Sequence, residues 1–220
     1  MRVCRIASYP LIAAWLALGL FAAIPALAGI RDGWREYLWF GAGALGYVLL
    51  RQLRIFSKNE EWLQVFSHEL AHTVVSILFF QKINSFSADS KAGRVSYSGS
   101  GVGDLFISLA PYCLPLATYI LLALRLLSAS ESLYIYDILI GFTAAFYVMC
   151  FVAQTGLYQS DIREQGSVRG MMFIIAAWVF NATIVLVSIR GGLVGALKFV
   201  WTEYSSGVKL AWEWICGMLN

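Results

Sequence analysis

Residues 61–80 read EWLQVFSHELAHTVVSILFF, a helical apolar stretch that carries the only two histidines of the chain, His68 and His72, four residues apart around Glu69. On a helix, positions i and i+4 project from one face a turn apart, close enough for two imidazoles to share one metal ion. The carboxylate beside them can take a proton from a water that such a metal activates, which is the mechanical reason for the H-E-x-x-H pattern. Gln64, His68, His72 and Ser76 extend the stripe, with Glu69 and Thr73 alongside, while Leu63, Phe66, Leu70, Val74, Ile77 and Leu78 form the apolar remainder. A charged group at the centre of a membrane helix costs about 2.5 to 3.5 kcal/mol on insertion scales. The polar stripe is therefore expected to face the interior of a helix bundle, with a bound metal offsetting its cost.

The rest of the chain supplies that bundle. Of 220 residues, 60% are hydrophobic and 13% charged, about half the charge of an ordinary soluble domain. The reading is an all-α polytopic membrane protein forming one domain over 1–220, with about six transmembrane helices near 8–30, 37–54, 62–80, 104–127, 133–153 and 171–189. The catalytic core is expected over about 62–170, and 190–220, which opens on Gly191-Gly192 and mixes Trp, Leu and charge, as an interfacial tail. Arg2 and Arg5 before an apolar run resemble a secretory signal, but the run from Ile6 to Ile30 is too long for a signal core and is expected to remain as the first span. Between the third and fourth spans, KINSFSADSKAGRVSYSGSGVG (82–103) is rich in Ser and Gly and alternates at Arg94-Val95-Ser96-Tyr97-Ser98, which predicts a short β-hairpin or loop at the membrane edge. With strictly alternating spans, Lys and Arg divide almost evenly between the two faces and favour a cytoplasmic amino terminus only slightly. The net charge of +3 is scattered, which excludes a nucleic-acid surface. Cys4, Cys113, Cys150 and Cys216 form no C-x-x-C pair, so neither a disulfide framework nor a cysteine metal site is expected.

A catalytic zinc needs a third protein ligand and an open position. No histidine remains, and the acidic residues in or beside apolar segments are Asp104, Asp137 and Asp161. Asp137, in YIYDILIGF, opens the fifth span on the side where the third begins. Asp161, in YQSDIREQG, also fits a helix capping box with Glu164, and strict alternation of spans puts it on the opposite side. A metal near mid-depth is nevertheless within reach of a re-entrant segment from either face. Both remain candidates on the residues alone.

The order of motifs from Phe66 to Gly166 resembles the site-2 protease class of intramembrane zinc metallopeptidases, and most closely its small bacterial members with a compact core. HELAH is followed by the hairpin ending in VSYSGSG, then ISLAPYCLPL with Pro111 and Pro115, then GFTAAFYV, then QSDIREQG. The resemblance implies one Zn²⁺ held by His68, His72 and Asp161, with Glu69 as general base. It also implies an integral, multi-pass protein of a bacterial inner membrane that hydrolyses peptide bonds of membrane proteins or membrane-bound peptides within or at the edge of the bilayer. The larger members carry their aspartate as Leu-Asp-Gly, whereas Asp161 stands between Ser160 and Ile162, so Asp137 stays in play. A substrate span must unwind before it is cut, and the hairpin offers a strand edge for the extended segment. The rival readings are a zinc-stabilised membrane scaffold without catalysis and a metal transporter, the latter disfavoured because no repeated half with paired Gly/Pro-broken spans is present.

Overall fold

The structure is a computed structural model that describes residues 2–55, 57–89, 93–99 and 103–219, with the backbone alone for 2–6, 57, 58 and 219. Within the stretch 82–103 expected as a hairpin or loop, residues 90–92, with Lys91, and 100–102 lie outside the described residues, as do the side chains of Arg2, Cys4, Arg5 and Lys58. Eight helices and one hairpin make up the described chain: α1 (Arg2–Asp32), α2 (Leu38–Gln52), α3 (Ser57–Leu78), β1 (Lys82–Ala88), β2 (Gly93–Ser98), α4 (Asp104–Cys113), α5 (Leu116–Arg125), α6 (Leu133–Gln154), α7 (Ser160–Glu164) and α8 (Ser167–Leu219). Short 3₁₀ turns precede α2 and α6.

Three stretches among the described residues are long and apolar enough to cross a membrane: Ala7–Asp32, Ser130–Gln154 and Ser167–Met218. The expected span at 104–127 is a pair of helices, α4 and α5, bent by 80°. Pro115 causes the break, because its ring forces Leu114 into extended backbone (φ −103°, ψ 105°). Carbonyls released at a break inside a bundle need donors. The Trp178 indole donates to Tyr112 O at 2.9 Å and Asn181 Nδ2 to Cys113 O at 2.7 Å. The other two expected spans fall short of that membrane-crossing length and apolarity: 37–54 yields α2, only 15 residues long, and 62–80 yields α3, which carries a polar stripe and Glu60-Glu61.

Contacts along the helices fix their directions. Phe106 meets Phe173, while Cys113 O reaches Asn181, so α4 runs parallel to the first part of α8. Trp15 of α1 lies on Phe173 and Phe180, and Arg190 bonds Gly29 O, so α1 runs the same way. Trp39 meets Tyr134 and Tyr47 meets Phe142, making α2 and α6 parallel to each other; Tyr147 and Phe151 on Trp178, with the earlier Ile140 clustered with the later Val185 and Ile189, set α6 antiparallel to α8. The α2–α6 contact is close because Gly43 faces Ile138 O and Gly141 faces Phe40 O, where any side chain would strike backbone.

Helix α3 departs from simple alternation. His68 packs on Tyr112 and Phe79 on Phe106, so α3 runs antiparallel to α4, towards the end of the bundle where α1 begins. Helix α8 departs as well. Gly192 adopts φ 66°, ψ 172°, a backbone open essentially to glycine alone. Phe180 and Tyr204 would be about 36 Å apart on a continuous helix, yet their rings are 6.2 Å apart. The chain therefore folds back at Gly192 into two antiparallel arms, 167–191 and 193–219. The stretch 190–220, expected as an interfacial tail, is mostly the second arm, packed along α1 where Gly207 faces Leu18 and Phe21. Leu11, Ile24, Leu27, Trp201, Trp212 and Met218 point outward and exposed, as a lipid-facing surface requires.

Candidate metal centre

The cluster forms where α3, α4 and α7 meet. His68 Nε2 and His72 Nε2 lie 3.8 and 3.7 Å from the same atom, Asp161 Oδ2. Among the described residues this trio is the one group of His, Cys, Asp or Glu able to hold a metal, its ligand atoms all within 4.8 Å of one another. A tetrahedral ion with ligand bonds of about 2.1 Å separates its ligand atoms by about 3.4 Å. The two histidine–aspartate separations exceed that by a few tenths of an ångström, so the trio is gathered closely enough to close on a small divalent cation.

The other nitrogen of each imidazole is occupied. His72 Nδ1 lies 2.7 Å from Ile107 O; a carbonyl only accepts, so the ring carries its proton on Nδ1 and turns the Nε2 lone pair towards Asp161. That carbonyl is available for a local reason. In a regular helix Ile107 O would accept from the N–H of residue 111, but Pro111 has none. His68 Nδ1 approaches Gln154 Oε1, at the end of α6, at 3.3 Å. Tyr112, 1% exposed, donates its hydroxyl to Asp161 Oδ2 at 3.0 Å and sets its ring edge-on to His68. In the metal-free cluster, burial works against a charge on Asp161, but hydrogen bonds from the facing imidazoles when they carry a proton on Nε2, together with that of Tyr112, outweigh it and hold the carboxyl well below the usual carboxylate range.

Asp161 reaches the site because α6 ends at Gln154 and the chain turns through α7 before entering α8. Ile162, fully buried among Leu109, Tyr112 and Phe173, anchors that turn. The capping-box reading of Asp161 and Glu164 is not realised: the N-cap of α7 is Gln159, without a side-chain cap, and Asp161 lies within the first turn. The argument from alternation that set Asp161 opposite the histidines also falls, because α3 runs antiparallel to α4 towards the end where α7 lies.

Glu69 is buried, 8% exposed, and lines the same cleft as the three residues of the cluster. That cleft has a volume of about 460 Å³ and is walled on its far side by Arg94, Val95 and Tyr97 of β2. Gly93, at the start of β2, rests directly on the Glu69 side chain. The cluster thus has an open side, and a carboxylate stands beside it.

Asp137 has a different role. Its carboxylate lies 2.9 Å from Arg125 Nε, and Arg125 also donates to Ser188 O and Ile189 O, which ties α5, α6 and α8 together at the opposite end of the bundle. Asp104 sits in the first turn of α4, outside the cluster. Sequence reasoning missed Pro111, Tyr112, Gln154 and Gly93 as parts of the site. The first two stand within the quoted APYCLPL motif, and the spacing of Pro111 four residues after Ile107 was the readable signal. The chain matches no family profile, no curated protein and no solved structure.

Proposed function

We propose that the protein is a membrane-embedded zinc metalloendopeptidase, with His68, His72 and Asp161 holding one Zn²⁺ and Glu69 acting as general base. The observation that supports this reading above others is the pairing of a three-ligand cluster with an open cleft that a buried carboxylate also lines. Two imidazoles and a carboxylate suit zinc. Zinc bound there supplies Lewis acidity, which lowers the pKa of water and polarises a scissile carbonyl. Glu69 takes the proton of the attacking water and returns it to the leaving amine. Val95 and Tyr97 line the cleft from β2, whose one edge is paired with β1; an extended substrate segment pairs along the other. A scaffold that uses metal only for stability has no need of that cleft.

The membrane reading extends this. Although short, α2 packs along α6 from Trp39–Tyr134 to Tyr47–Phe142 and is counted as a crossing with it, so that α1, α2, the α4–α5 pair, α6 and the two arms of α8 make six, with α3 and α7 held at the end where α1 begins. Arg51, Arg54, Lys82, Arg94, Arg163 and Arg169 gather at that end, and Arg2 and Arg5 belong to the first turns of α1, against Arg31, Arg35, Arg125, Arg190 and Lys198 towards the other. The near-even split expected from alternation becomes an excess on one face, which the positive-inside rule assigns to the cytoplasm. The substrate is a membrane protein or membrane-bound peptide cut near the cytoplasmic face of, by the resemblance, a bacterial inner membrane.

The test is Glu69→Gln, purified with its metal and assayed in liposomes against a library of model single-span peptides read by mass spectrometry. Wild-type protein cleaves members of the library, while Glu69→Gln retains zinc and loses turnover by at least 100-fold, the order expected of a general base. Equal product formation by the two proteins would exclude a catalytic role for Glu69, and zinc-loaded wild-type protein that forms no product would favour the scaffold.

A further inference from the structure

We infer that the adjacent residues Pro111 and Tyr112 of α4 are positioning residues for the metal centre, each setting one ligand. This rests on the zinc-site reading above and adds a support to it. The two act by different means. Pro111 acts by omission: without its N–H, Ile107 O has no helical donor from position 111 and accepts from His72 Nδ1 at 2.7 Å instead. Tyr112 acts by donation: its hydroxyl holds Asp161 Oδ2 at 3.0 Å, the oxygen that both Nε2 atoms face.

The position of α4 is itself fixed. Trp178 and Asn181 of α8 bind the carbonyls of Tyr112 and Cys113 at the helix break, and Leu109 and Tyr112 are buried against Ile12, Ile162 and Phe173. A long membrane helix thereby locates a short broken one, and the broken one aims two ligands drawn from different parts of the chain. A proline and a tyrosine placed only for packing would leave His72 and Asp161 free to choose other rotamers.

The two roles predict opposite behaviour from fold and from metal affinity. In Pro111→Ala, the restored N–H competes with His72 for Ile107 O, and the helix gains a bond it lacked. In Tyr112→Phe, the ring and its packing stay while the hydroxyl goes. Zn²⁺ affinity is measured in detergent by competition with a chromophoric chelator, with thermal unfolding of the metal-free proteins alongside. Each single variant is expected to bind Zn²⁺ 10- to 100-fold more weakly than wild type, the usual range for outer-sphere partners, with apo unfolding temperature unchanged or, for Pro111→Ala, raised. In an Asp161→Ala background Tyr112→Phe adds no further loss, and in a His72→Ala background Pro111→Ala adds none. Wild-type affinity in either single variant overturns the inference, as does an equal further loss in those backgrounds, which would mean a general effect on folding. Wild-type protein that binds no Zn²⁺ would instead refute the zinc-site reading on which the inference stands.

Discussion

Replacing Gly93 by alanine tests how closely β2 and α3 are fitted at the cleft. A Cβ built on Gly93 lies 2.5 Å from Glu69 Oε1 and 2.7 Å from its carboxyl carbon. Ordinary contact is about 3.5 Å, so the carboxylate has to move by about 1 Å. The backbone at Gly93 lies outside the left-handed region, so alanine fits the strand itself and the effect falls on Glu69. A displacement of that size at a reacting group costs on the order of 100-fold in rate. Metal binding is spared, because Glu69 is not a ligand in the cluster. The assay is single-turnover cleavage of a model single-span peptide in liposomes, with zinc content measured on the same preparations. Turnover by Gly93→Ala at the wild-type rate would refute the claim that Glu69 is held in place against β2. Loss of zinc together with activity would show that the hairpin supports the ligands rather than the base.

Further outcomes follow from other parts of the fold. Asp137→Asn leaves the Arg125 charge uncompensated in a buried place, which costs about 3–5 kcal/mol; the unfolding temperature falls while zinc stoichiometry stays at wild type. Gly192→Ala puts a Cβ into a backbone region reserved for glycine, at a cost of about 1–3 kcal/mol, read as lower thermal stability with unchanged metal affinity. Gly141→Val drives a branched side chain into Phe40 O across the α2–α6 contact and destabilises by about 1–3 kcal/mol or more, again without direct effect on zinc. Val95→Pro removes a donor from β2 and lowers cleavage while leaving the metal bound, if substrate pairs along that strand; full cleavage would end the strand-pairing idea.

Local periodicity carried much of this structure. The i, i+4 spacing of His68 and His72 puts both imidazoles on one face, and the Ser/Gly-rich alternation at 94–98 foretold the hairpin, whose register pairs Phe86 with Val95 and Ile83 with Tyr97. What periodicity cannot carry is direction. α3 follows α2 after a short linker, and nothing in its composition says whether it crosses the bundle or lies against α4; that is decided by His68 on Tyr112 and Phe79 on Phe106, contacts between residues far apart in sequence. The same gap kept Asp137 beside Asp161 as a candidate. Arg125, which claims Asp137, is twelve residues away on another helix, and its partnership depends on a loop geometry that apolar runs do not encode. The reversal at Gly192 was visible only as a break in the pattern, because a glycine pair marks an interruption without fixing the angle of what comes next. Pro111 shows a missed opportunity: the missing N–H was legible, but the group that would use the released carbonyl was not.

The central claim is that one zinc ion sits on His68, His72 and Asp161. The most direct measurement is zinc stoichiometry, by elemental analysis of dialysed protein, for wild type, Asp161→Ala and Asp137→Ala side by side. One zinc per chain in wild type and in Asp137→Ala, with none retained by Asp161→Ala, is the predicted result. A full complement of zinc in Asp161→Ala, or loss confined to Asp137→Ala, would contradict it.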